Sequence, residues 1–411
     1  MTKKTSITDT IIKNIKKRNE FAFTLKEDNP YEVKEWIDTG CYALNAILSD
    51  GDIFKGMPAG KRITVSGPKS SGKSILVNYK LRAYFKKYPN ATAFVFESEG
   101  SSTVKMAKEA GIPEDQLIII PVSTVESART EMLNIIDQIL DHKFGYETKT
   151  NSKGENKRTK IKGFKVKPEE EQEKFIFILD SLGMLGTNKE VKDISTGNDI
   201  RDMTRAQLIK GWARAITLKI SLIQAPLLVV NHVYSTFDKY TPYVSSGGSG
   251  IEYMADISLI NTKRKQKEDT EQIGIIVNLK TEKSRFMQEN KSVKIILSFK
   301  KGFNKFSSLY ELANDLDVFK KEGISWILSD DKKVTMKKIR ENPSKYFVGE
   351  NLDLIRSAIM ENFSFGENAF IDSNNIDDID DIDDIDDIDD IDDIDFNIEE
   401  DDNEKTDNEN N

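Results

Sequence analysis

The chain has one cysteine and two histidines in 411 residues. A lone thiol, Cys41, excludes an internal disulfide and fits a reducing compartment; it reads as a small buried hydrophobe rather than a nucleophile. With so few sulfur and imidazole groups, a transition-metal site lacks its soft ligands. His142, at the edge of a charged stretch, reads as solvent-exposed. No apolar run approaches the roughly 18–20 residues that span a bilayer. Nor do the first twenty residues pair a basic start with an apolar segment: they are polar and lysine-rich. Neither a secretory leader nor a membrane partner is expected.

Cations are outnumbered, with 60 Lys and Arg against 69 Asp and Glu for a net charge of −9. The deficit is local. Asp372–Asn411 carries 21 acids and one lysine, a net of −20, which leaves the other 371 residues with 48 acids, 59 bases and a net of +11. A basic body points to a polyanionic partner, most commonly nucleic acid, with an ordinary solvated surface as the plain alternative. The tail sets Ile376, Ile379, Ile382, Ile385, Ile388, Ile391 and Ile394 three apart with Asp pairs between them. A period of three matches neither helix nor strand, and the charge density opposes compaction, so disorder is expected over 371–411. A Ca²⁺ loop of the EF-hand type fits less well, because its glycine turn and terminal glutamate are missing.

Gly67, Pro68, Lys69, Ser70, Ser71, Gly72, Lys73 and Ser74 satisfy every position of a phosphate loop. The apolar run Arg62–Ser66 ahead of it reads as a strand and Ile75–Lys80 behind it as a helix, the setting this motif requires. Small residues let successive N–H groups turn inward around phosphate oxygens, and the helix N-terminus adds its positive end. Lys73 would reach the β- and γ-phosphates of ATP, and the Ser74 hydroxyl would hold Mg²⁺. Phe175–Asp180 is an apolar strand ending in a carboxylate, which would hold the same Mg²⁺ through water. Phe94–Glu99 ends another strand in two carboxylates, Glu97 and Glu99. Alternate positions share a face, so one of them could orient or deprotonate the attacking water; a solvated pair is the plain alternative.

Residues 1–38 form a basic lead segment with helical spacing at Thr10–Lys17 and strand-like alternation at Glu20–Leu25, too little to bury a core alone. From 39 to 302, helix-like stretches alternate with β-like runs. The runs are Ile63–Ser66, Ala93–Glu97, Leu117–Pro121, Phe175–Asp180, Leu227–Asn231, Ile257–Asn261, Ile273–Lys280 and Val293–Phe299. The first five are dominated by continuous apolar residues, which predicts an α/β fold with a mostly parallel central sheet flanked by helices. Lys143–Lys174, with ten Lys and Arg, interrupts this rhythm and reads as an inserted, mobile hairpin or loop that either touches nucleic acid or is merely solvated. Residues 303–370 form a smaller α+β region with helical patterns at Ser308–Lys320 and Leu352–Asn362.

Between two apolar strands, Val233–Gly250 sets Tyr234, Phe237, Tyr240 and Tyr243 three apart and approaches its end through Gly247 and Gly248. Aromatics in an exposed loop can stack on bases of any sequence; anchoring the loop to the core is the other reading. Lys239 is the one cation there, so phosphate contacts fall largely to the rest of the basic body.

Gly56–Arg62 before the phosphate loop, Phe96–Glu99, Leu179–Gly183 and Val230–His232 occur in the order of the RecA family of recombinases, which the chain resembles over roughly residues 37–365. Asp202–Ala206, Asn231–Tyr234, Gly247–Gly250 and Glu282–Arg285 are similar to its T-even phage branch. The resemblance implies a RecA-like P-loop ATPase core, an oligomerisation role for 1–38, and the cofactors ATP and Mg²⁺. The implied function is ATP-dependent DNA strand exchange by helical filaments on single-stranded DNA, which pair it with homologous duplex. Glu99 is then the water-activating carboxylate, with Glu97 a second acid nearby. His232 falls where the family senses the γ-phosphate and moves a DNA-binding loop, and Lys283 and Arg285 fall where it reaches ATP on the adjacent protomer.

A first DNA loop follows at Gly186–Met203 with Lys189, Lys192 and Arg201, joined by Arg205 on the next helix, and Val233–Gly250 becomes the second. Met106 stands where bacterial members place an aromatic against adenine, a departure that bears on base selectivity. A mediator or loader and a single-strand-binding protein are implied partners, and the location is cytoplasmic, in the host cell if the chain is viral. Two other readings share the loop. A ring-forming helicase would carry a separate helical domain ahead of the core, where about 38 residues stand. An ATP-gated scaffold without hydrolysis is disfavoured by the paired acids and the Lys283 segment.

Overall fold

The structure, a computed structural model, describes residues 6–24, 26–27, 29–100, 111–150, 156–197, 204–235, 243–247, 249–268, 271–300 and 302–365. A ten-stranded sheet carries the fold. Its centre is six parallel strands in the order Ile257–Glu268, Arg62–Gly67, Leu227–Ser235, Phe175–Asp180, Thr92–Glu97 and Leu117–Pro121. Beyond the Ile257 strand, Glu271–Ser284, Ser292–Ser298 and Gly302–Phe303 extend it antiparallel. Tyr243–Ser245 pairs antiparallel with the far end of Leu227–Ser235.

Successive side chains of a strand point to opposite faces, and here both faces are covered. Ile176 and Ile178 join Ile63, Val65 and Val95 beneath the Lys73–Lys87 helix, which contributes Leu76, Leu81 and Tyr84. Phe177 and Leu179 join Phe96 and Val229 on the other face, under the helices Val125–Phe144 and Arg205–Ile223 with Met132, Ile136, Trp212 and Ile216. Two buried faces explain why these strands read as unbroken apolar runs. Leu117–Pro121 is the edge strand, so Ile118 stays 43% exposed despite the same composition. Among the described residues, no helix is long and apolar enough to cross a membrane.

Two local expectations change. Glu20–Leu25 is not a strand: Glu20 and Phe21 sit in a turn, 22–24 is irregular, and Leu25 lies outside the described residues. Side-chain contacts hold this segment, with Phe21 edge-on to Phe144 at 5.0 Å and Glu20 bonded to Tyr146 and Lys160. Those partners belong to the basic insertion, which forms the antiparallel hairpin Tyr146–Thr150 and Asn156–Lys160. The helix expected at Ser308–Lys320 stops at Asp315. Asp317 then turns left-handed at φ 48°, and Lys320–Glu322 pairs as a strand with Ser325–Ile327. The Leu352–Asn362 pattern is realised as the helix Glu350–Phe363. The tail, 371–411, lies outside the described residues.

Lys80 is an anomaly on the helix that follows the phosphate loop. It is 0% exposed and its Nζ has no hydrogen-bond partner among the described residues. Burial disfavours the ammonium and pulls its pKa down from 10.5 to about 7. Between those values the unfolded chain binds a proton that the folded chain does not, so stability rises with pH across that window. We expect Lys80→Met to raise Tm at pH 7 by roughly 5–10 °C and to flatten the stability–pH curve between pH 7 and 10. Calorimetry on both proteins checks this; an unchanged Tm would mean that water reaches the amine.

Candidate functional site

Parallel strands bring their C-terminal ends to one edge of the sheet, and ligands bind in the crevice beyond it. Here four adjacent strands end in the residues of interest. Gly67, opening the phosphate loop, pairs with His232, and Glu97 pairs with Asp180 on the next strands over. A cleft of about 380 Å³ opens above them. Lys69 to Ile75, Glu99, Asp180, Val230, His232, Lys263 and Ile275 line it. Lys73, Ser74, Asp180, Glu99 and His232, expected from sequence to act together, are therefore brought together.

The loop is held in shape by its neighbours. Gly72 takes φ +96° at the start of the Lys73–Lys87 helix, where a side chain would be strained. A Cβ on Gly67 would fall 2.0 Å from Asn261 Oδ1 and 2.4 Å from its backbone oxygen. Asn261 occupies that space because it clamps the loop: its Oδ1 accepts from the Ser71 hydroxyl at 3.0 Å and its Nδ2 donates to the Ser71 carbonyl at 3.1 Å. The Lys73 Nζ folds back to donate to the carbonyls of Gly67 at 2.8 Å and Pro68 at 2.9 Å. Burial lowers its pKa, and the carboxylates of Glu99 and Asp180 oppose that shift.

Asp180 is 2% exposed, and its Oδ1 has no partner among the described residues. Burial first, then the charges of Glu99 and Glu97, push its pKa up to about 6, while the Ser74 hydroxyl and Lys73 pull the other way. A buried, orphaned carboxylate oxygen next to a serine hydroxyl and a phosphate-binding loop is an oxygen donor set that suits Mg²⁺. Glu99 reaches the cleft from the other side. Its Oε1 accepts from the Ser181 hydroxyl at 2.7 Å and lies 3.0 Å from His232 Nε2, and its backbone N–H donates to Glu97 Oε1 at 2.8 Å.

The nucleic-acid candidates divide. Lys189 and Lys192 are exposed on the helix Asn188–Ser195, and Tyr234 is 63% exposed at the start of the second loop. Tyr243 is half-buried where the loop re-enters the sheet, opposite Ser235. Gly247 sits at φ +97°, the left-handed region in which glycine is favoured. The Arg205 guanidinium donates to the carbonyls of Leu185 at 2.7 Å and Leu182 at 2.9 Å. Arg201, Phe237, Lys239, Tyr240 and Gly248, like Met106, lie outside the described residues.

Lys283 and Arg285 are not at the cleft. Lys283 pairs with Ser258, level with the start of the phosphate-loop strand at the far edge of the sheet. Its Nζ donates to the Glu252 carbonyl at 2.6 Å, and Arg285 lies 3.4 Å from Asp256. Sequence reasoning passed over Ser181, Asn261, Lys263 and Ile275. Asn261 left one signal, a polar residue closing the apolar run that starts at Ile257; Lys263 and Ile275 left none, since they reach the cleft through strand order alone.

No family model matches the chain. Over 296 residues it is 29% identical to the recombination and repair protein of Enterobacteria phage T4, covering 72% of this chain and 68% of that protein. It is 25% identical over 341 residues to the RecA protein of Phytoplasma mali, covering 81% and 86% of the two chains. To the RecA protein of Mesomycoplasma hyopneumoniae strain 7448 it is 26% identical over 362 residues, or 85% and 93%.

Proposed function

We propose that the chain is a recombinase of the RecA family acting in ATP-dependent strand exchange, a reading its similarity to the phage T4 and RecA proteins supports, and that its own residues divide the work as follows. The observation that carries the proposal is the joining of two sites by one strand. Leu227–Ser235 holds His232 in the ATP cleft and, two residues on, presents exposed Tyr234 at the mouth of the second loop. The loop returns beside the same strand, where Ser246 N–H donates to the His232 carbonyl at 2.9 Å. A single strand end therefore feels both the terminal phosphate and whatever the loop grips.

In this reading the loop N–H groups and Lys73 hold the phosphates, with Lys73 exchanging its bonds to Gly67 and Pro68 for phosphate oxygens. Ser74 and Asp180 would hold Mg²⁺, which would neutralise charge on the phosphates. Glu99 orients and accepts a proton from the attacking water. His232 reports the γ-phosphate to the second loop. Tyr234 and Tyr243 from that loop stack on bases of single-stranded DNA, while Lys189 and Lys192 on the first loop contact phosphates. Arg205 acts differently from the sequence expectation, bracing the base of the first loop.

Self-assembly into a helical filament completes the proposal. Lys283 and Arg285 lie away from their own cleft, so an ATP contact by them is to a neighbouring protomer. The helix Ile7–Arg18 leaves Ile7, Ile11 and Ile15 exposed on one face, a surface suited to a neighbour. Homologous duplex is the second DNA partner, a mediator and a single-strand-binding protein are accessory ones, and the setting is the cytoplasm, of a host cell if viral. Steady-state ATP hydrolysis with and without single-stranded DNA, imaged by negative stain, tests this. We expect at least tenfold stimulation and filaments. Rings that unwind forks would indicate a helicase, and absence of both turnover and DNA binding a nucleotide-gated scaffold.

A further inference from the structure

We infer that Ser181 is a positioning residue for ATP hydrolysis, its hydroxyl holding the Glu99 carboxylate and the His232 ring in one fixed arrangement. The inference rests on the reading of Glu99 as the carboxylate that activates water. Three atoms form a closed triangle. Ser181 Oγ lies 2.7 Å from Glu99 Oε1 and 3.1 Å from His232 Nε2, and Nε2 lies 3.0 Å from the same Glu99 oxygen. An ionised carboxylate oxygen can only accept. The one hydrogen of the serine hydroxyl therefore goes to Glu99, leaving Oγ lone pairs towards the imidazole. Nε2 must then carry its own hydrogen, shared between Oγ and Oε1. Hydroxyl and carboxylate thus both call for the Nε2–H form of His232, and the hydroxyl orients Glu99 in the same act.

Burial tells which corner of the triangle is fixed. The side chains of His232 and Glu99 are 29% and 31% exposed, whereas Ser181 is 0% exposed. Its backbone is pinned on both sides by Ser98. Ser181 N–H donates to Ser98 Oγ at 2.9 Å, Ser98 Oγ donates to the Ser181 carbonyl at 2.8 Å, and Ser98 N–H donates to the Asp180 carbonyl at 3.0 Å. The imidazole lies against the turn that follows: a Cβ on Gly183 would meet His232 Cδ2 at 2.3 Å. Two movable groups, one on the hydrolytic side and one on the loop side, are thereby referred to one immobile hydroxyl. Ser181 is absent from the residues that line the cleft, so it acts through Glu99 and His232 rather than on the nucleotide.

Losing the hydroxyl leaves Glu99 with His232 alone, and a small misplacement of a catalytic group costs roughly 10–100-fold in rate. Ser181→Ala is expected to lower the DNA-stimulated kcat by about that factor while KM for ATP, affinity for a fluorescent ATP analogue and Tm stay near parental. Ser181→Cys, of similar size with a weaker donor, is expected to fall between. The measurement is steady-state hydrolysis on saturating single-stranded DNA for the three proteins, with analogue titration and thermal melts alongside. Parental kcat in Ser181→Ala would overturn the inference, as would kcat, nucleotide affinity and Tm declining together in both variants, the mark of a purely structural serine. A parental chain with no DNA-stimulated turnover would instead sink the recombinase reading, and this inference with it.

Discussion

Replacing Glu99 by glutamine is expected to lower single-strand-stimulated ATP turnover by roughly 10²–10⁴-fold, the range that a positioned general base contributes. The amide keeps the shape and can still pair with Ser181 and His232, so ATP binding and DNA-bound filaments should survive and outlast those of the parent. The structure distinguishes two acids that strand spacing alone left equal, the resemblance having given the water-activating role to Glu99. Glu99 lines the cleft and is fixed by two side-chain contacts. Glu97 accepts the Glu99 backbone N–H and acts on the site through its charge, helping to raise the pKa of Asp180. Glu97→Gln should therefore reduce turnover by less than about tenfold. Phosphate release assays on both variants decide between them. A larger loss in Glu97→Gln than in Glu99→Gln would transfer the role of base to Glu97.

The second large effect is on stability. Arg62 begins the phosphate-loop strand and is 3% exposed. Its guanidinium donates to Asp256 Oδ1 at 2.7 Å, the Met254 carbonyl at 3.0 Å, the Thr217 carbonyl at 2.9 Å and the Ser221 hydroxyl at 3.0 Å. Its backbone N–H also binds Asp256, at 2.8 Å. Burial lowers the pKa of the guanidinium, and Asp256 opposes this. Removing one partner of a buried pair strands the other charge, so Arg62→Ala should cost about 3–5 kcal/mol and lower Tm by roughly 10 °C. The pair Arg62→Met with Asp256→Leu removes both charges and should recover most of that loss. Urea unfolding of the three proteins measures it; a cost below about 1 kcal/mol for Arg62→Ala would show that the pair is solvated. Met254 and Thr217 lie on helices reached after the second and first loops, and Arg285 shares Asp256. A weakened knot should therefore lower DNA affinity alongside stability.

Legibility followed distance along the chain. Gly67–Ser74 is contiguous, so its phosphate-binding backbone could be read from eight letters and a flanking strand and helix. Asp180 and the Glu97–Glu99 pair were legible as carboxylates closing apolar runs, because a strand buried on both faces leaves few positions for a charge except its end. Short segments were read less well. Glu20–Leu25 alternates like a strand and Ser308–Lys320 is spaced like a helix, but a few residues of pattern are overridden by what lies beside them. One found Phe144, Tyr146 and Lys160 in place of a strand edge, and the other turned left-handed at Asp317.

By itself, then, the sequence determined the class of sheet, the phosphate loop, the metal-suited serine and aspartate, and the candidate acids, all properties of a few adjacent residues. Tertiary structure alone decided which acid faces the cleft, that Ser181 joins Glu99 to His232, that Asn261 clamps Ser71 from 190 positions away, and that Arg205 bonds the carbonyls of Leu182 and Leu185. The physical reason is the crossover order of the parallel sheet. It sets Leu227–Ser235 between the strands of Gly67 and Asp180 and Ile257–Glu268 on the other side of the phosphate loop, and hydrogen bonds a few ångströms long are then made by residues that no local pattern relates.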